Sequence, residues 1–208
     1  MSRIFVTGIG TGIGKTFVSA ILVEALHADY WKPVQSGDLD NSDTMTVRRL
    51  ISNPVSVLHP EAYRLTHALS PHVAAEMDGI EIDLEKIRSL IPIVKDRHLI
   101  IEGAGGAMSP VNGSSVVLDL IELLEAETVI VSRNYLGSIN HTLLTIDAIK
   151  RRRISIRGLI FNGKEEKASV DFILKHSGAS LLGSVGEERV LDKNAVSKYA
   201  GTFKGIFK

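Results

Sequence analysis

The residues best suited to chemistry in this 208-residue chain stand near its start. Ile4 to Thr16 reads Ile-Phe-Val-Thr-Gly-Ile-Gly-Thr-Gly-Ile-Gly-Lys-Thr. Ile4, Phe5 and Val6 make a short apolar run, the pattern of a buried strand. Gly8, Gly10, Gly12 and Gly14 follow at alternate positions, then Lys15 and Thr16, then a helical stretch from Phe17. Glycines let backbone N–H groups approach phosphate oxygens with no Cβ in the way. The helix N-terminus adds partial positive charge. In such a loop the lysine reaches the terminal phosphates and the threonine offers a hydroxyl to Mg²⁺. The strict spacing puts a first glycine at position 9, where Ile9 stands. Gly8 is one place early, so a variant phosphate-binding loop is expected.

Further acidic and basic candidates lie downstream. Magnesium takes hard oxygen ligands, few of them from protein. Glu102 ends the apolar run Leu99-Ile100-Ile101 and precedes Gly103-Ala104-Gly105-Gly106, which implies close backbone approach to a ligand. Thr16 and Glu102 are therefore candidate metal ligands. Asp43 reads equally as a helix cap, and spacing alone does not choose between these roles. Lys32 lies between aromatics and Pro33 at a strand end. There it reads either as a surface lysine or as a cation facing the phosphate site. His59, His67 and His72 match no metal-site spacing.

These groups need a scaffold that brings them together. Helices are expected over 14–28, 44–51 (capped by Ser42 or Asn41), 73–77, 84–94, 116–124, 139–149, 168–174 and 194–199. Strands are expected at 4–6, from 30 to Pro33, and at 99–101, 128–131, 156–161 and 181–185. Strands alternating with helices imply an α/β fold, a mostly parallel central sheet with helices on both faces. Ligands bind beyond the strand C-termini of such sheets, where the loop, Lys32, Glu102, Asn134 and Asn162 all fall.

Composition narrows the class. At 44% hydrophobic and 23% charged, residues 1–208 read as one soluble globular domain. Zero formal net charge argues against a nucleic-acid partner. Arg151-Arg152-Arg153 follows a helical stretch, where cations complement the helix dipole. Lack of cysteine excludes disulfides and thiol catalysis. No apolar run reaches the ~18 residues of a membrane span, and no leader is evident, so a cytoplasmic protein is expected.

The order of segments carries a resemblance. Gly8 to Thr16, Lys32-Pro33-Val34-Gln35-Ser36-Gly37, Asn41-Ser42-Asp43, Ser70-Pro71-His72, Glu102 to Gly106 and Leu136-Gly137-Ser138-Ile139-Asn140-His141 succeed one another as in the dethiobiotin synthetases. The chain resembles that family from about Ile4 to Val185. The resemblance implies a P-loop NTPase-type fold and an ATP- and Mg²⁺-dependent cyclo-ligase of biotin biosynthesis. Its substrates would be 7,8-diaminopelargonic acid, CO₂ (or bicarbonate) and ATP. It places Gly12, Ile13, Gly14, Lys15, Thr16, Phe17, Asp43, Glu102, Gly103, Ala104, Gly105, Asn162 and Gly163 at the nucleotide. Of these, Asn162 would read the adenine edge. Thr16, Asp43 and Glu102 would hold the metal. Thr11, Ser36 and Gly137 to Asn140 would hold the diamine, the last segment donated by the partner of a homodimer. Lys15 and Lys32 would be catalytic. Gly186 stands where the family carries proline.

Two other classes compete. A P-loop ATPase switch of the partitioning or septum-positioning kind shares the fold, but such proteins carry an early second lysine where this chain has Gly10. A glutamine-dependent cobyric acid synthetase needs a nucleophilic cysteine, absent here.

Overall fold

The computed structural model describes residues 2–205. Nine strands and eight α-helices are found among them: β1 Arg3–Gly8, α1 Lys15–Leu26, β2 Asp29–Trp31, β3 Val34–Ser36, α2 Asp43–Leu50, β4 Leu58–His59, β5 Tyr63–Leu65, α3 Pro71–Met77, α4 Leu84–Ser89, β6 Leu99–Glu102, α5 Val117–Leu123, β7 Glu127–Arg133, α6 Ser138–Arg151, β8 Ile156–Asn162, α7 Lys167–Ser177, β9 Leu181–Val185 and α8 Lys193–Phe203. Seven strands form one sheet in the order β4-β2-β6-β1-β7-β8-β9, and every pairing in it is parallel.

Alternation along β1 builds two cores. Ile4 and Val6 join one cluster with α1, α2 and α8; Phe5 joins the other with α3 to α7. Both faces of the sheet are thus covered, as its unbroken apolar strands require. The chain leaves β1 toward β2 on one side and returns from β6 to β7 on the other. The β1 C-terminus is therefore the topological switch point, where parallel sheets leave a crevice. Because all strands run the same way, the ends of β1, β2, β6 and β8 meet one edge.

Several expectations need revision. The helix expected over 84–94 stops at Ser89. Pro92 lacks an N–H, and a proline disfavours helical geometry in the residue before it. The strands β3, β4 and β5, two or three residues each, were not expected. Of these, β3 and β5 pair parallel in a separate small sheet. Runs so short carry no periodicity, and only their partners stabilise them. The last helix outruns its expected end at Tyr199 because Phe203 is fully buried. Ser42, one of two expected caps, accepts the Met45 N–H at 3.3 Å.

Candidate active site

The glycine-rich loop joins β1 to α1. Gly12 and Gly14 have φ of 70° and 92°, the left-handed region that glycine enters without strain. A Cβ on Gly8 would lie 2.2 Å from Ile13 Cδ1, so a larger residue there would require the Ile13 side chain to shift. Ile9, just past the end of β1, donates its N–H to Val131 O at 3.2 Å.

Beside the loop lies a cavity of about 590 Å³. Its walls include Thr11, Gly12, Gly14, Lys15, Thr16, Lys32, Ser36, Asp43, Glu102, Gly103, Ala104 and Gly105. Ile13 and Phe17 line none of it; their side chains lie in the core. The glycines after Glu102 mark close approach, chiefly to the protein itself. A Cβ on Gly106 would meet Gly8 O at 3.2 Å, and one on Gly103 would meet Phe5 at 2.7 Å.

Charge converges at the cavity floor. Lys32 is no surface lysine: it is 4% exposed. Its Nζ lies 2.7 Å from Asp43 Oδ2 and 3.3 Å from Glu102 Oε1. Thr16 Oγ1 lies 2.7 Å from Asp43 Oδ1 and 2.8 Å from Glu102 Oε1. A hydroxyl and two carboxylates within hydrogen-bond distance form a hard-oxygen set that fits Mg²⁺. No group of three or more His, Cys, Asp or Glu suited to a metal occurs among the described residues.

The ionisations follow from burial and neighbours. Burial pulls the Lys15 ammonium from its ordinary 10.5 down to about 8; Lys32 adds to this, while Glu102 and Asp43 oppose it. Lys15 Nζ donates to Gly10 O at 2.8 Å. Burial also works against the Lys32 charge, but Glu102 and Asp43 outweigh it and raise its pKa. Burial opposes the Asp43 carboxylate, yet Lys32 holds it below the usual range.

Two residues missed in the sequence orient these groups. Tyr30 is fully buried, and its hydroxyl donates to Glu102 Oε2 at 2.9 Å, leaving Oε1 for Thr16 and Lys32. Burial and the carboxylates keep this phenol protonated, well above its ordinary pKa. Gln35 Oε1 accepts the Asp43 N–H at 3.2 Å. Both stand in ordinary strand patterns, so the sequence carried no local signal for either.

Not every candidate joins the cavity. Asn162 sits at the loop's far side, its Nδ2 donating to Ile13 O at 2.8 Å, with Gly163 beyond it. Gly137 to Asn140 open α6 in a separate depression shared with Lys164 to Glu166. The structure does not bring this segment to the phosphate loop of its own chain. Ser36 Oγ is buried without a hydrogen-bond partner.

Known proteins share this arrangement at two levels. A family model described as an AAA domain matches residues 2–195. Solved structures share the fold alone: the cell division ATPase MinD of Pyrococcus furiosus gives a TM-score of 0.63 at 14% identity, covering 99% of this chain and all of that one. A ParA family ATPase from Chlorobium tepidum gives 0.58 at 17%, covering 99% and 92%. Sequence similarity is much closer elsewhere. The ATP-dependent dethiobiotin synthetase BioD of Cytophaga hutchinsonii is 50% identical over 200 residues, covering 96% of each chain. Those of Christiangramia forsetii and Chlamydia felis are 48% and 42% identical, covering 96% and 97% of this chain and 95% and 94% of theirs. Identity of that level from end to end, with the lysine and acid segments meeting in one cavity, means that the chain belongs to the dethiobiotin synthetase family.

Proposed function

We propose that the chain forms one domain over residues 1–208, works in the cytoplasm and is an ATP- and Mg²⁺-dependent cyclo-ligase. It converts 7,8-diaminopelargonic acid and CO₂ to dethiobiotin, ADP and phosphate. The observation that carries the reading is the meeting of Lys15, Lys32, Thr16, Asp43 and Glu102 in one cavity beside the glycine loop. One amine of the substrate adds to CO₂ and loses a proton, giving a carbamate. A carbamate oxygen attacks the γ-phosphorus, the bond to the β–γ bridging oxygen breaks, and ADP leaves. The second amine then attacks the carbamic–phosphoric carbonyl, expels phosphate, loses a proton and closes the cyclic urea.

Two anions must meet, and the lysines offset their repulsion. Lys15 holds terminal phosphate oxygens; Lys32 faces the carbamate and the migrating phosphoryl group. Thr16, Asp43 and Glu102 would hold Mg²⁺ through their hard oxygens, and the ion when bound would offset charge on the phosphate oxygens. The unpaired Ser36 hydroxyl and the neighbouring Thr11 suit the polar end of the diamine. Asn162 would read the adenine edge, with Gly163 beside it. Radiolabelled CO₂ should enter a stable cyclic urea when protein, ATP, Mg²⁺ and the diamine are mixed. Label that remains volatile would sink the reading. It would favour a partitioning-type ATPase switch, whose fold is shared but whose early lysine position is Gly10 here.

Three consequences are measurable. Excess EDTA should abolish turnover and thiol reagents should not; full activity in EDTA would remove the metal role. The separation of Gly137 to Asn140 from the cavity, with Leu136 fully exposed beside them, supports a homodimer in which this segment serves the partner's substrate carboxylate. Light scattering should then find no active species at the 22.6 kDa of one chain. Nucleotide affinity should also depend on pH. Phosphate binding needs Lys15 charged and raises its pKa. Below pH 8 Lys15 is charged both free and bound, so affinity is flat. Above pH 8 binding must take up a proton, so affinity falls by up to about tenfold per pH unit. Calorimetry in buffers of different ionisation enthalpy reads that proton directly.

A further inference from the structure

The glycine loop offers its N–H groups to an anion only while its carbonyls face away. Three side chains hold them: Lys15 Nζ donates to Gly10 O at 2.8 Å, Asn162 Nδ2 to Ile13 O at 2.8 Å, and Arg133 Nη1 more weakly to Gly12 O at 3.5 Å. The second contact crosses from the end of β8, 149 residues along the chain. It is close-fitted. A Cβ on Gly14 would lie 2.1 Å from Asn162 Nδ2, so the amide packs directly against the 13–14 peptide. That peptide is planar and trans, so its C=O and N–H point in opposite directions. Fixing Ile13 O toward Asn162 therefore aims the Gly14 N–H the other way, and Gly14 lines the cavity.

We propose that Asn162 is a positioning residue for the phosphate loop: it sets the 13–14 peptide for the triphosphate, independently of any base. The inference rests on the nucleotide reading above and goes beyond the adenine contact that the resemblance implies. The two roles separate with a ligand that has no base. Binding of Mg²⁺–tripolyphosphate and of Mg²⁺–ATP is measured by calorimetry on wild type, Asn162→Ala and Asn162→Asp. Loss of one orienting hydrogen bond should weaken tripolyphosphate binding roughly three- to tenfold in both variants. Should Asn162→Ala fail to fold, the near-isosteric Asn162→Leu, which has no donor, carries the same comparison. Unchanged tripolyphosphate affinity with weakened ATP binding would overturn the proposal, leaving Asn162 a base contact only. So would a loss confined to Asn162→Asp, which reflects its added negative charge, or a wild type that binds no tripolyphosphate. Failure of the function itself is distinct: wild type would form no dethiobiotin whatever its tripolyphosphate affinity.

Discussion

Lys15→Ala should lower kcat/KM on the order of 10³-fold, the scale for losing one charged donor aimed at developing transition-state charge. The same substitution should leave the ligand-free fold at least as stable at pH 7. The reason is the depressed pKa of Lys15, about 8 against an ordinary 10.5. At pH 7 the group is charged in both folded and unfolded chains, and burying that charge disfavours the fold by on the order of 3 kcal/mol. The penalty is complete below pH 8 and fades as pH rises from 8 to 10.5. Alanine removes it, losing in exchange the hydrogen bond to Gly10 O, worth about 1 kcal/mol. Activity and stability should therefore move in opposite directions, as expected where a site stores strain for function. Steady-state kinetics and thermal unfolding without nucleotide check the pair. Turnover near wild type at saturating ATP would take Lys15 out of the mechanism; a sharply lower Tm would mean that its buried charge is structurally favourable.

Lys32→Ala should show a different signature. The fall in kcat should be on the order of 10²-fold or more, with a much smaller loss of nucleotide affinity. In the proposed mechanism ATP binding would already have Lys15, the loop amides and Mg²⁺, whereas the carbamate and the migrating phosphoryl group would depend on Lys32. The ion pairs add a structural consequence. Removing the ammonium leaves Asp43 and Glu102 without their bridging cation, with only the Lys15 charge nearby, which should destabilise the ligand-free protein by roughly 3 kcal/mol. That is the low end for breaking a buried pair, because the Asp43 side chain is 32% exposed. Added Mg²⁺ should restore much of the lost Tm, since two carboxylates and Thr16 then form an uncontested hard-oxygen site. Lys32→Arg should not fully rescue kcat, because a planar fork does not fit where a compact ammonium bridges two carboxylates. Single-turnover kinetics, a separate nucleotide titration and thermal unfolding with and without Mg²⁺ read these effects. Equal losses in kcat and affinity would make Lys32 a ground-state phosphate anchor.

Local chemistry made the phosphate loop legible in the sequence. Glycine spacing, Lys15, Thr16 and the flanking strand and helix are neighbours along the chain, and each residue type has a direct physical reason there. The longer apolar runs were legible too, because a parallel strand covered on both faces has almost no polar positions. From these alone came the alternation of strands and helices, the parallel sheet and the edge where the site lies. Tertiary structure decided the rest. Asp43 read equally well as a cap; it begins α2, but its carboxylate lies 2.7 Å from both Thr16 and Lys32. Lys32 read equally well as a surface lysine until the fold buried it against Glu102, 70 residues away. Tyr30 and Gln35 gave no signal, since the hydroxyl and amide they aim at the two acids look like ordinary strand side chains. The short strands β3 to β5 are equally silent, because pairing stabilises them and propensity does not. Spacing along a chain determines which groups can share one helix face or one loop. Which strand ends become neighbours depends on the crossover order of the sheet, and that order brought Thr16 and Lys32 each within hydrogen-bond distance of both Asp43 and Glu102.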